Sequence, residues 1–189
     1  MNIKTYKLTL GLLCGLMFNH AQAADISAGK DSAAACFGCH GANGVSSNGN
    51  FPNLAGQTPT YLAAQLHKFK AGSRVAPAMQ AIAQGLTDSD IDNLATYFAS
   101  LTSKSAGNSN PGLASQGQTK AAMCMGCHGG NMQGKGQFPK LAGQQPQYLS
   151  KQLHDFKNNS RQAGSMNAVA QSLSEEDIKA MAAYLAGLQ

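Results

Sequence analysis

Two short cysteine motifs carry the clearest chemistry in this chain. The pattern cysteine, two other residues, cysteine and histidine occurs at residues 36–40 and again at residues 124–128. This spacing attaches a c-type haem, because two thiols add across the two vinyl groups of one porphyrin and the adjoining histidine becomes an axial ligand of the iron. The sequence therefore predicts two covalently attached haem c groups, held by Cys36, Cys39, Cys124 and Cys127, with His40 and His128 as iron ligands.

The cysteine count agrees with two haems. Five cysteines are present, and Cys14 lies in an N-terminal segment that we expect to be removed, so the two motifs use all the others. A thioredoxin-like redox pair would need a βαβ context, and a zinc site of four cysteines is the other alternative. The histidine that directly follows the second cysteine, in both motifs, argues against both.

The N-terminus has the layout of a secretory signal peptide. Lys4 and Lys7 precede an apolar run over residues 8–18, and Ala21-Gln22-Ala23 forms a small-residue cleavage site. We predict a signal peptide over residues 1–23 and export to the periplasm, with a retained N-terminal anchor as the alternative. No other segment is apolar enough to cross a membrane.

The rest of the chain is a tandem repeat of two similar sequences. The segment Phe-Pro-x-Leu-Ala-Gly-Gln at residues 51–57 returns at residues 138–144, and other segments return in the same order. A repeat of this size builds only a small core, to which a buried haem adds apolar mass. We predict a first domain over residues 24–101, a linker rich in Ser, Asn and Gly over residues 102–115, and a second domain over residues 116–189.

Helical periodicity dominates both copies and predicts an all-α fold. In the first copy we expect helices over residues 25–39 and 60–71 and a third that begins after Thr87. Asp90 lies three residues after Thr87, as in a capping box, and Ser174 opens the corresponding helix of the second copy. Each copy is thus predicted to be a small helical bundle wrapped around one haem.

The sixth iron ligand is predicted to be a methionine. Met79 and Met166 occupy equivalent positions in the two copies, each in a polar stretch, expected to be a loop, before the last helix. A thioether ligand raises the reduction potential of the iron, whereas a second histidine lowers it. His67 and His154 are also repeated, so ligation by two histidines is the rival interpretation.

The prolines of the repeated Phe-Pro segments are candidates for supporting the axial histidines. A metal-bound histidine usually donates its other ring N–H to a carbonyl group. The carbonyls of Pro52 and Pro139 lie in loops that proline makes rigid. Spacing alone leaves open whether these prolines support the histidines or only shape the loops.

These motifs together resemble the dihaem cytochrome c4 family. The resemblance covers the chain after the signal peptide and implies two tandem class I cytochrome c domains. It also implies that Pro52 and Pro139 accept hydrogen bonds from the axial histidines, and that the protein is a periplasmic electron carrier serving terminal oxidases. One departure is that Gly164 stands where the first copy has Pro77, so we expect a looser methionine loop in the second domain.

The expected ligand sets favour electron transfer over catalysis. An iron with histidine and methionine ligands has no open position for substrate, so we predict that the protein is not an enzyme. The net charge of +5 includes Lys4 and Lys7, and four haem propionates would offset most of the remainder. We therefore expect no nucleic-acid binding.

Partners and assembly follow from the same interpretation. We expect a monomer with redox protein partners, a quinol-oxidising complex as donor and a terminal oxidase as acceptor, and peripheral membrane association stays open. Two alternatives remain: a dihaem subunit of a periplasmic dehydrogenase, of flavocytochrome or thiosulfate-oxidising type, and a dihaem peroxidase. A peroxidase would need one haem with a displaceable ligand, and the two copies are too alike for that.

Overall fold

The computed structural model describes residues 23–107 and 110–189. The predicted signal peptide, apart from its last residue, lies outside the described residues. Within the described ranges the secondary structure is helical, and a single isolated β-bridge joins Lys135 and Phe138. No helix in these ranges is long and apolar enough to cross a membrane. The predicted all-α fold is confirmed.

Among the described residues, five α-helices in each half follow one another in the same order, and the first half also has a short 3-10 helix (Ala42–Gly44). The first half contains α1 (Ile26–Ser32), α2 (Ala34–His40), α3 (Pro59–Lys70), α4 (Pro77–Gln84) and α5 (Asp88–Ser100). The second half contains α6 (Pro111–Lys120), α7 (Ala122–His128), α8 (Pro146–Lys157), α9 (Ser165–Gln171) and α10 (Glu175–Gly187).

The first and last helices of each half cross at a glycine. A Cβ atom at Gly29 of α1 would lie 2.2 Å from the carbonyl oxygen of Asn93 in α5. A Cβ atom at Gly117 of α6 would lie 2.1 Å from the carbonyl oxygen of Ala180 in α10. These distances are far below van der Waals contact, so only glycine permits the two crossings.

The capping boxes of α5 and α10 are present as predicted. The amide of Asp90 donates to the Thr87 hydroxyl over 3.1 Å, and the amide of Thr87 donates back to the Asp90 carboxylate over 2.8 Å. Ser174 and Asp177 form the same pair at the start of α10. The apolar stripes behind these caps are buried and form much of the two cores, through Ile91, Leu94, Phe98, Ile178, Met181 and Leu185.

The helix predicted over residues 25–39 is instead two helices. Ala33 ends α1 and begins α2, and its side chain is fully buried. The break separates two tasks, since α1 packs against α5 whereas α2 carries the cysteine motif. Helical propensity did not reveal it, because residues on both sides of Ala33 are helical.

The predicted linker over residues 102–115 contains the start of a helix. Helix α6 begins at Pro111, where Asn110 accepts a hydrogen bond from the amide of Leu113 over 3.0 Å and proline occupies the first helical position. The start of the linker is attached to the second half: the hydroxyl of Ser105 donates to the carbonyl of Ala186 over 2.7 Å.

Candidate functional site

The two short helices α2 and α7 bring each cysteine pair and its histidine together. In both, the first cysteine is half-buried, the second is exposed, and all four thiols are free in the structure. Burial raises the pKa of the thiols of Cys36 and Cys124. A thioredoxin-like pair depends on a lowered thiol pKa, so the burial of Cys36 and Cys124 disfavours that alternative.

Helices α2 and α7 end directly after the histidines at glycines with left-handed backbone. Gly41 has φ +76° and Gly129 has φ +86°. A Cβ atom at Gly41 would lie 2.0 Å from the carbonyl oxygen of Val45. The chain therefore turns sharply after each histidine, which only glycine allows here, and the next loop can fold back over the imidazole.

Each of the two histidines is buried and hydrogen-bonded through one ring nitrogen. Nδ1 of His40 lies 2.9 Å from the carbonyl oxygen of Pro52, and Nδ1 of His128 lies 2.8 Å from that of Pro139. Because a carbonyl can only accept, Nδ1 carries the proton and Nε2 keeps a free lone pair. Burial lowers the pKa of both rings, and the carbonyl contact opposes this in part.

An aromatic ring completes each histidine environment. The ring of Phe51 contacts His40 edge-on with a centroid separation of 6.2 Å, and Phe138 contacts His128 in the same way at 6.3 Å. The Phe-Pro pair of each repeated segment thus provides both a ring and a carbonyl to its histidine. Neutral, oriented imidazole is the form that binds a metal.

The two candidate methionines lie on helices, not in the loops expected from the sequence. Met79 is in the first turn of α4 and Met166 in the first turn of α9, and both are half-buried. The two helices pack against α3 and α8 respectively. They were missed because each is short and lies in a stretch whose residues also suit a loop.

The segment around Met166 is also not looser than its counterpart. The neighbouring Asn167 accepts from the amide of Ala163 over 2.8 Å and donates over 2.8 Å to each of the carbonyls of Phe156 and Arg161. In the first domain, Gln80 makes a single such contact with the residues that the structure describes, accepting from the amide of Ala76 over 3.2 Å. Asn167 therefore replaces the constraint that Pro77 supplies in α4.

The residues present fit a covalently attached haem. The donor set comprises two thiols, a neutral imidazole with a free Nε2 and a thioether, which is the soft and borderline set that haem iron accepts. Large apolar side chains are exposed nearby in sequence or space: Val75 is 72% exposed and Ile82 38% exposed around Met79, and Phe138 is 45% exposed beside His128. An apolar macrocycle would cover such surface.

The rival histidines lie on the protein surface. His67 lies 4.0 Å from the carboxylate of Asp88, with 47% of its side chain exposed. His154 lies 3.4 Å from the carboxylate of Glu175, with 38% exposed. Both therefore have acidic neighbours at the start of the last helix of their domain, which accounts for their repetition without iron ligation.

The two domains are joined by paired glutamine contacts. Gln144 accepts from the backbone N–H of Asn53 over 2.7 Å and donates to the backbone carbonyl of the same residue over 2.9 Å. Gln57 makes the same two contacts with the backbone of Lys140, at 2.7 and 2.9 Å. The two glutamines are equivalent in the repeats, so this contact has local two-fold symmetry.

Two arginines form a second symmetric contact between the domains. Each lies over a phenylalanine of its own domain, with 4.6 Å between the guanidinium carbon and the ring centroid. No carboxylate of the described residues lies within ion-pair distance of either arginine. Their partners across the boundary are neutral: Arg74 donates to Tyr148 and Gln152, and Arg161 donates to Tyr61 and Gln65.

Sequence reasoning missed this boundary between the domains. Tyr61, Gln65 and Gln57 were visible as repeated residues, but repetition suits a core, a haem contact or an interface equally well. The useful signal was polarity: Gln57, Gln65 and their counterparts are buried amides, and a buried amide requires partners. The repeat itself does not reveal that those partners belong to the other copy.

Comparison with known protein families identifies two copies of one domain in this chain. The sequence model of the cytochrome c family matches residues 26–102 and 114–189. The chain is 41% identical to cytochrome c4 of Pseudomonas aeruginosa, in an alignment that covers 96% of this chain and 95% of that protein. It is also 34% identical to a thiosulfate dehydrogenase electron acceptor of Stutzerimonas stutzeri, covering 94% and 93% of the two chains.

A solved structure gives the same result in three dimensions. The crystal structure of reduced recombinant cytochrome c4 from Pseudomonas stutzeri superposes with a TM-score of 0.82 at 38% sequence identity. The match covers 88% of this chain and 100% of that one. The similarity therefore includes both halves and their arrangement.

Proposed function

This chain belongs to the dihaem cytochrome c4 family, and on that premise we propose that it carries electrons in the periplasm from a quinol-oxidising complex to a terminal oxidase. It is an electron-carrier cytochrome with two covalently attached haem c groups. The haem irons supply one-electron oxidation and reduction. The protein supplies ligands, burial and a surface for partners.

The proposed roles of the residues follow from their environments. Cys36, Cys39, Cys124 and Cys127 attach the two haems, and Nε2 of His40 and His128 binds the irons. Pro52 and Pro139 fix the orientation of those rings through their carbonyls. Arg74 and Arg161, which have no carboxylate partner among the described residues, are candidates for pairing with haem propionates. We also infer that the second domain begins with α6.

One observation carries the electron-transfer assignment. Both domains provide a buried, oriented imidazole and, on a separate helix, a methionine at the equivalent position. With Met79 and Met166 as sixth ligands, both irons lack an open coordination position for substrate. This repetition of a closed site supports a carrier and disfavours a dihaem peroxidase, which needs one open site.

Replacing the methionines tests this assignment. Met79→His and Met166→His should each remove half of the sulfur-to-iron charge-transfer band at the red end of the oxidised spectrum. Each should lower the potential of its own haem by an amount on the order of 0.1–0.3 V, within the span of about 0.8 V that axial ligands cover. Met123→His is the control, because Met123 is 52% exposed and unrepeated. A band that survives both changes would contradict the ligand assignment.

The periplasmic location and the oxidase partner have separate tests. A mature protein that begins at Ala24 in the periplasmic fraction would support export and cleavage after Ala23. The reduced protein should then be oxidised by membranes containing the terminal oxidase, and cyanide should block that reaction. Oxidation at the same rate with and without cyanide would contradict the proposed acceptor.

A second candidate function is electron acceptance from a thiosulfate dehydrogenase. The similarity to a protein named as the electron acceptor of such an enzyme favours it specifically. Stopped-flow mixing of the oxidised protein with a thiosulfate dehydrogenase and thiosulfate tests it. Reduction faster than that of a mitochondrial-type cytochrome c under the same conditions supports this candidate, and equal or slower reduction rejects it.

A further inference from the structure

One peptide group in each domain connects the axial histidine to the other domain. The carbonyl of Pro52 and the N–H of Asn53 belong to the same peptide unit. The carbonyl accepts from His40 over 2.9 Å, and the N–H donates to the side-chain oxygen of Gln144 over 2.7 Å. Gln144 lies in the second domain, so the histidine of the first domain contacts the second domain through a single peptide.

The reverse connection has the same form. The peptide between Pro139 and Lys140 accepts from His128 over 2.8 Å and donates to the side-chain oxygen of Gln57 over 2.7 Å. Both glutamines are nearly excluded from solvent, at 7% exposed for Gln57 and 6% for Gln144. Each domain therefore provides an amide oxygen to the peptide that orients the histidine of the other.

Hydrogen bonds in such a series reinforce one another. An acceptor on the N–H polarises a peptide and makes its carbonyl a stronger acceptor, most effectively in a buried, low-dielectric setting. A stronger acceptor on Nδ1 makes the imidazole a more electron-rich ligand. Such a ligand stabilises the oxidised iron more than the reduced iron, so the reduction potential falls.

We propose that Gln57 and Gln144 are positioning residues that set the reduction potential of the haem in the opposite domain. The inference rests on the proposed axial role of His40 and His128. It makes the boundary between the domains part of the redox tuning, because a movement of one domain relative to the other changes the ligand strength at both irons. The effect is crossed: Gln144 acts on the first haem and Gln57 on the second.

The two glutamine contacts differ in how far they are shielded from solvent. The contact of Gln144 with Asn53 is buried, whereas the contact of Gln57 with Lys140 is partly buried. Polarisation is stronger where water is excluded. Loss of the Gln144 amide should therefore shift its target haem more than loss of the Gln57 amide.

Gln145 provides a matched control within the same boundary. Its side chain is 8% exposed and donates to the carbonyl of Ser46 over 2.7 Å, so its removal weakens the contact between the domains. It also donates to the side-chain oxygen of Asn53 over 3.3 Å, but it is not a partner of the Asn53 N–H or of the Pro52 carbonyl. Gln145→Met should therefore weaken the contact between the domains while keeping the hydrogen bonds that join His40, the Pro52–Asn53 peptide and Gln144. It shows how much of any potential shift comes from the weaker contact alone.

The test compares midpoint potentials of the holoprotein variants Gln144→Met, Gln57→Met and Gln145→Met. Each is measured alone and in a Met166→His background, where the second haem is expected at much lower potential and the upper step reports the first haem. We expect Gln144→Met to raise the reduction equilibrium constant of the first haem about threefold, or about 28 mV at 59 mV per tenfold. Gln57→Met and Gln145→Met should leave that step nearly unchanged.

A second variant keeps the acceptor and should not raise the potential. Gln144→Glu keeps an acceptor oxygen for the N–H of Asn53, so the potential of the first haem should stay equal to or fall below that of the wild type. The ring N–H resonance of His40 in the reduced protein should also move in Gln144→Met and not in Gln145→Met. Three results would overturn the inference. They are an equal shift of both haem potentials in Gln144→Met, a shift of the first haem in Gln145→Met as large as in Gln144→Met, and an unchanged potential of the first haem in a correctly folded Gln144→Met. If Met166→His fails to separate the two steps, the ligand assignment has failed instead.

Discussion

The two domains fill the same space with opposite choices of large and small residues. In the first, Phe98 of α5 faces Gly44, where a Cβ atom would lie 2.9 Å from the phenylalanine ring. In the second, the smaller Leu185 occupies the position of Phe98, and the position of Gly44 is held by Met132, whose side chain is fully buried. The carbonyls of Gly44 and Met132 accept the same pair of amides from the following loop.

The difference shows how strongly the backbone is specified. Met132 keeps a left-handed φ of +55°, close to the +70° of Gly44, although such a conformation disfavours a side chain. Burial of the methionine compensates for that strain. The local backbone that the two histidine loops share is thus maintained by two unrelated packing solutions.

The largest expected loss of stability comes from truncating the buried Met132 side chain in the second domain. Met132→Ala removes a fully buried side chain from the core and leaves the left-handed backbone in place, so we expect a loss of about 2–4 kcal/mol in the free energy of unfolding. Urea titration of the holoprotein measures it. Met123→Ala, at an exposed methionine, should change the stability by less than about 0.5 kcal/mol, and equal effects of the two would refute this packing account.

A second prediction replaces the Gly44 and Phe98 pair of the first domain by the methionine and leucine of the second. Gly44→Met should destabilise the first domain by about 2 kcal/mol, because the side chain meets the ring of Phe98. Adding Phe98→Leu should recover at least half of that loss, since the pair then matches the second domain. A double-mutant cycle measures the coupling, and additive effects would show that the two positions do not compensate each other.

The methionine segments should respond unequally to equivalent changes. Asn167→Ala removes several hydrogen bonds that hold the start of α9, whereas Gln80→Ala removes one. At about 0.5–1.5 kcal/mol for each net hydrogen bond, only Asn167→Ala should visibly weaken the Met166 share of the charge-transfer band on mild heating. Equal losses in both variants would contradict this difference between the domains.

The smallest effect is expected at the surface histidines. His67→Gln and His154→Gln remove exposed groups near carboxylates, so each should change the free energy of unfolding by less than about 0.5 kcal/mol. The visible spectrum and both potentials should stay as in the wild type. Loss of the low-spin spectrum in either variant would support the rival interpretation, in which that histidine is an iron ligand.

Features encoded within a few neighbouring residues were predicted from the sequence. The capping boxes at Thr87 and Ser174 and the cysteine motifs depend on side chains three or four positions apart, so their geometry follows from the spacing. The break at Ala33 and the short helices α4 and α9 were not predicted, because packing against other helices decides them. The pairing of Gln57 and Gln144 with the opposite domain was also not predictable, since a repeat contains no information on how its copies dock.

The charge-transfer band of the oxidised wild-type protein tests the central claim most directly. Its intensity, measured per haem against a reference cytochrome with one methionine-ligated iron, reports how many irons carry a thioether ligand. Two closed sites, with Met79 and Met166 bound, predict an intensity equal to that of the reference for each haem. An intensity of half or less per haem would mean that at least one site is open or differently ligated, and would contradict the assignment of two equivalent electron-transfer centres.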